Sequence, residues 1–301
     1  MRRRRSRSLS TVAVLSAILL VAASSVELHT RWANQPARVT LLAAGPAPHP
    51  RTAQPATSAN FDELAREVPR DAKRDGADVT FSILDRSTGR VASGGDPVAF
   101  PIASVSKLFI ADDVLKQTSM TGAGLSREDQ RGLEAMLRSS ADVPATEFWV
   151  RGGGNAIIDR IVTRYGLRST TAPYNGDWWN TLSTTADLVR YYDMLLDGTG
   201  GLPPDLADII ISNLAASTPL GVDGYPQRFG IPDGLFAEPV AVKQGWMCCW
   251  NGPNQLHMST GVIGSDRRYV IAIGSMQPVD EVTARETLTR VIKTMFPSGR
   301  I

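Results

Sequence analysis

Two residues three positions apart, Ser104 and Lys107, are the first in this chain whose types could do chemistry together. They lie within Phe100-Pro-Ile-Ala-Ser-Val-Ser-Lys-Leu-Phe109. A serine hydroxyl becomes a nucleophile only beside a base, and a lysine amine can be that base when burial or a neighbouring cation lowers its pKa. Residues at i and i+3 share one face of a helix. Pro101 closes an extended segment, and Leu108, Ala111 and Leu115 then recur at helical spacing. The pair therefore sits at a helix start, where backbone N–H groups can receive an oxyanion formed at the serine.

Two further groups could join that pair. Ser140-Ala-Asp142 falls between two helical stretches, because Pro144 bars a continuous helix. Lys243-Gln-Gly-Trp-Met247 continues a strand begun at Val240–Val242. A Ser-His-Asp triad is the rival arrangement. His29 and His49 precede the folded part, which leaves His257, and no G-x-S-x-G turn is present. Nothing in the spacing of His, Cys, Asp and Glu suggests a metal, so neither metal nor cofactor is expected.

The elements that must position these residues follow in order. Asn60–Ala72 reads as a helix, and Val79–Leu84 and Arg90–Ser93 as a hairpin. The Ser104 helix comes next. A second is capped by Ser126 with Asp129 three residues on and runs to about Arg138; another spans Asn155–Tyr165 and stops at Gly166. Leu167–Leu182 has no period but carries Asp177, Trp178 and Trp179, the composition of a binding or active-site loop. Ser183 is read as the cap of the next helix, and Pro203–Pro204 as the start of another reaching about Ser217. His257–Gly264 and Tyr269–Met276 form a second hairpin, followed by a helix over Asp280–Phe296. Strands at both ends flank an all-helical middle, which predicts an α/β (α+β) fold: one antiparallel sheet built from both chain ends, with helices packed on it.

The chain has 301 residues, 43% of them hydrophobic, with a formal charge of +2, which gives no reason to expect nucleic acid as a partner. Arg2–Arg5 and Arg7 precede an apolar run over Leu9–Val26, so residues 1–32 read as a signal peptide or an uncleaved membrane anchor. Residues 33–59, rich in Pro and Ala, read as a linker, and 60–301 as the functional domain. The chain is expected to be exported, to the cell envelope or beyond it. Its only cysteines, Cys248 and Cys249, are adjacent. None lies near the leader to carry a lipid, and two small buried thiols are the expected state, because a vicinal disulfide strains the peptide between its residues.

In order and element type, Ser104-Val-Ser-Lys107, Ser140-Ala-Asp142 and Lys243-Gln-Gly245 resemble the S-x-x-K, S-D-N and K-T-G markers of the serine penicillin-recognising family. That family includes class A β-lactamases and low-molecular-weight D,D-peptidases, and the resemblance covers Phe61–Ile301. It implies a β-lactamase/transpeptidase-like fold, a monomer, and a β-lactam or peptidoglycan peptide as ligand. It also implies roles: Ser104 is acylated, Lys107 takes its proton, Ser140 relays a proton to the leaving nitrogen, and Lys243 supplies positive charge. Gln244, Gly245, Trp246 and Met247 would line the substrate, with an oxyanion N–H near Met247.

The chain also departs from the pattern. Asp142 replaces Asn, and a carboxylate there would raise the pKa of Lys107. Gln244 replaces Thr. The Leu167–Leu182 loop lacks the glutamate that activates the deacylating water in class A enzymes, which implies slow deacylation. A second reading keeps the fold without the chemistry: a protein that binds cell-wall peptide or an envelope partner, with Trp178, Trp179, Trp246 and Trp250 as contact surfaces.

Overall fold

The computed structural model describes residues 58–301; the leader and nearly all of the linker lie outside the described residues. Helix α1 (Ser58–Arg74) leads into β1 (Asp78–Asp85) and β2 (Arg90–Gly94). After the two-residue strand β3 (Phe100–Pro101), a 3-10 turn at Ala103–Ser106 runs directly into α2 (Lys107–Thr121). The helical middle continues with α3 (Arg127–Arg138), α4 (Asp142–Arg151) and α5 (Asn155–Tyr165). A short β4 (Leu182–Ser183) precedes α6 (Thr185–Asp197), α7 (Pro204–Ala215) and the single turn α8 (Ile231–Gly234). The chain closes with β5 (Val240–Cys248), β6 (Gln255–Ile263), β7 (Tyr269–Gln277) and α9 (Glu281–Met295).

The five long strands form one antiparallel sheet in the order β2-β1-β7-β6-β5. Strands from both chain ends meet where β1 pairs with β7, as the element order predicts. Alternation along each strand divides the core between two faces. On one face Ile271, Ile273, Phe81 and Ile83 pack with Phe61 of α1 and with Leu288 and Ile292 of α9. On the other, Val270, Ala272, Met258 and Val262 meet α2, α5, α6 and α7.

Helix α2 is buried on every side, from Leu108 to Leu115. Such a helix must neutralise its own polar groups. Asp113 accepts two bonds from Arg160 of α5, both 2.7 Å. Asp112 accepts from Arg164 and from the hydroxyls of Tyr165 and Tyr191. These ties fix α2 against α5 and α6, and with it the turn that carries Ser104.

Most sequence expectations agree with the structure to within two or three residues. Ser126 caps α3, accepting from the Asp129 N–H, and Gly166 ends α5 at a φ of 58°. Ser183 is not the cap of α6. That position belongs to Thr184, which accepts from the Asp187 N–H, while Ser183 pairs with Phe100 in the β3–β4 ladder. Cys248 and Cys249 are not buried thiols. They form a vicinal disulfide, exposed where β5 runs out into its hairpin, and Cys249 has a φ of 70°.

Candidate active site

Ser104, Lys107, Ser140 and Lys243 come from three separate parts of the chain and meet in one hydrogen-bonded row. The Lys107 ammonium lies 2.9 Å from Ser104 Oγ and 3.4 Å from Ser140 Oγ, and it donates to the Ser140 carbonyl at 2.5 Å. Lys243 Nζ donates to Ser140 Oγ at 2.8 Å and to the Gln244 carbonyl at 3.0 Å. Ser140 Oγ therefore stands between two lysines, one of which also holds Ser104. Both lysines are buried. The face of Trp178 covers Lys107, its centroid 4.8 Å from the ammonium.

Backbone geometry marks the same two serines. Ala103, just before Ser104, has a φ of 45°, and Ser140 a φ of 58°. Non-glycine residues adopt the left-handed region rarely, and such strain persists only where the surroundings impose it. At Ser140 they do. Thr218 N–H donates to the Arg138 carbonyl and Val222 N–H to the Ser139 carbonyl, both at 2.9 Å, while Gln227 Nε2 also donates to the Arg138 carbonyl. A loop over residues 217–227, absent from the sequence reading of the site, thus clasps the segment that presents Ser140.

Asp142 opens α4 and accepts from Lys107 at 2.6 Å, although its side chain is 73% exposed. As expected, it raises the pKa of Lys107, and Asp223 adds to that effect. Burial outweighs both, so the Lys107 pKa is lowered. For Lys243 burial is again the main cause, reinforced by the charge of Lys107, and its pKa lies well below the usual lysine value. Burial thus moves both amines towards the neutral state that a proton acceptor needs.

The remaining residues singled out from the sequence divide between the two faces of β5. Lys243, Gly245 and Met247 face the helices, whereas Gln244 and Trp246 face α9. Gln244, 2% exposed, donates to the carbonyls of Gln227 and Phe229 at 2.9 and 2.6 Å, so it braces the loop rather than reaching the serines. Trp246 stacks on Tyr225 with centroids 4.5 Å apart and an interplanar angle of 8°. Gly245 is needed for close approach. A Cβ there would lie 2.7 Å from the Ile102 carbonyl, so only glycine lets β5 pack on the Ser104 turn. His257, directly opposite Trp246 on the α9 face, lies 2.6 Å from the Tyr225 hydroxyl, which separates it from Ser104 by the sheet.

In the 167–182 loop, Trp178 Nε1 donates to Thr146 and the Asp177 carboxylate accepts from Asn175. Tyr174, 82% exposed, reaches across to Trp250 with ring centroids 6.1 Å apart. A separate hollow of about 550 Å³ lies beyond Trp250, lined by Pro69, Val79, Phe100 and Ser275, and contains none of the reactive side chains.

Comparison with known proteins places the chain. It is 48% identical to LppW of Mycobacterium tuberculosis and, equally, to LppW of Mycobacterium bovis, over 99% of this chain and 100% of theirs. The chain belongs to the LppW family. The mycobacterial members are named as candidate lipoproteins, while this member has cysteines only at 248 and 249. No family model matches it. This LppW relative has a β-lactamase-like fold. It is similar to TLA-3 extended-spectrum β-lactamase at a TM-score of 0.65 and 12% identity, over 79% of this chain and 98% of that one. It is also similar to PBP-A at a TM-score of 0.63 and 16% identity, over 80% and 96%. A PBP-A variant described as an acyl-enzyme complex with penicillin G aligns at 0.65 and 17%, over the same shares. At these identities the structural likenesses speak for the fold alone.

Proposed function

We propose that this chain is an exported active-site-serine hydrolase that forms an acyl-enzyme with β-lactams or peptidoglycan stem peptides and releases it slowly. The observation that carries this reading is the unbroken row Ser104–Lys107–Ser140–Lys243, with both amines buried and their pKa values lowered.

In this reading Lys107 takes the proton as Ser104 Oγ attacks the carbonyl carbon. The N-terminal end of the Ser104 turn, together with an N–H of the outer edge of β5 near Met247, receives the oxyanion. Ser140, hydrogen-bonded to Lys243, passes a proton to the leaving nitrogen. Deacylation is slow because the Leu167–Leu182 loop has no glutamate to activate a water, and its one acid, Asp177, is engaged with Asn175. A PBP-A variant of this fold is described as an acyl-enzyme complex with penicillin G, which supports the reading. Export is supported by the basic head and apolar run of residues 2–26, and by the name of the mycobacterial relatives.

A non-catalytic binder of cell-wall peptide is the second reading. The 2.6 Å bond from Lys107 to Asp142 favours it, since a carboxylate so placed opposes loss of the lysine proton. Labelling with a fluorescent penicillin separates the two. The hydrolase reading requires labelling of the wild type and none of Ser104→Ala with an unchanged thermal transition. Labelling that survives the substitution removes Ser104 from the role.

A further inference from the structure

The charge that this site shows to solvent is negative. Lys107 and Lys243 are 0% and 1% exposed, and their amines are engaged with Ser104, Ser140, Asp142 and the Gln244 carbonyl. The Asp142 side chain is 73% exposed; Oδ1 takes the Lys107 bond, and among the described residues Oδ2 accepts no hydrogen bond. Asp223 is exposed in the turn that follows Gly221. That turn is tied to the Ser140 segment through the 2.9 Å bond from Val222 N–H to the Ser139 carbonyl, and it packs against Trp246. Both carboxylates lie close enough to act electrostatically on both lysines. Arg285 sits over the ring of Tyr225 on the α9 face, where it and Asp223 both act on that tyrosine, but its charge is not among those acting on Lys107 or Lys243.

We propose that Asp142 and Asp223 select acyl donors bearing a cationic group, an ammonium on the acyl side chain above all, and turn away donors with a carboxylate there. Asp142 is the contact residue, accepting an ammonium N–H at Oδ2. Asp223 supplies field across the site, since two charges within a Debye length of about 10 Å at 0.1 M salt remain felt. The inference rests on the acyl-serine reading and narrows it: among stem peptides, those with a free side-chain amine are the substrates.

The test uses the full chain and three penicillins that share one nucleus. Their phenylacetyl side chains carry an α-amino group, no substituent, or an α-carboxylate. Dissociation constants are measured on Ser104→Ala, where no acylation intervenes, and acylation rates on the wild type. The amino compound should bind tightest and the carboxylate weakest, about tenfold apart, as expected of partly exposed charge pairs summed over two sites. The spread should narrow in 0.5 M salt (roughly a 4 Å screening length) and in both Asp142→Asn and Asp223→Asn. Equal constants, a reversed order, or no binding by any of the three would overturn the selectivity. A correct order on Ser104→Ala with no acylation of the wild type would keep the selectivity and overturn the acyl-serine reading instead.

Discussion

At the scale of single residues, the chemistry depends on which influence on Lys107 dominates. Burial pushes its pKa down, while the hydrogen bond and charge of Asp142 push it up. Neutral amine is the form that accepts the serine proton, so acylation should fall as pH falls through the lowered Lys107 pKa. Asp142→Asn removes the opposing influence, so the acid limb of the acylation profile should move to lower pH; a limb that moves up would contradict this account. His257 makes a separate prediction on stability. Burial and the charge of Arg285 lower its pKa to about 3 from 6.5. The unfolded chain therefore binds more protons between those values, and stability is lost as pH falls through that window. His257→Gln should lose less stability from pH 6.5 to 3 than the wild type in denaturant titrations. Lys107 and Ser140 were legible as candidates from residue type and their places at a helix start and in a loop. The placing of Gln244 could also have been read. A strand alternates faces, so if Lys243 reaches the serines, its neighbour must point away. Asp223 left no such trace, because a Gly-rich turn has no period and its tie to the Ser139 carbonyl, through Val222 N–H, is a tertiary hydrogen bond.

At the scale of elements, the site is the junction of the α2 turn with β5, and Gly245 sets their separation. In Gly245→Ala the new methyl would meet the Ile102 carbonyl at 2.7 Å, and a backbone oxygen cannot rotate aside. We expect a loss of about 1–3 kcal/mol in stability together with slower acylation, measured by chemical denaturation and penicillin labelling. Unchanged values for both would show that β5 has slack against the turn. Elements with strong local signals were readable: α5 through Ile157, Ile158, Ile161 and its Gly166 stop, and α3 through its Ser126 cap. The start of α6 was misread by one residue because Ser183 and Thr184 are both good caps, and only the pairing of Ser183 with Phe100 decides between them. The cysteine pair was misread for a similar reason. Its exposure follows from where β5 ends, which adjacent cysteines do not reveal.

At the scale of the whole molecule, the sheet joins both chain ends, so neither half of the domain can close its core alone. Phe61 of α1 packs edge-on against Tyr269 of β7 and Phe296 beyond α9. The fold was legible because its element order admits few antiparallel sheets. The loop over residues 217–227 was not, since no sequence period ties it to Ser139. The central claim is that Ser104 is acylated and only slowly freed. Its most direct measurement is the intact mass of the full chain, followed over hours with benzylpenicillin. The account predicts a one-to-one adduct that decays slowly in the wild type and never forms in Ser104→Ala. A folded wild type that gains no mass at saturating penicillin would contradict it.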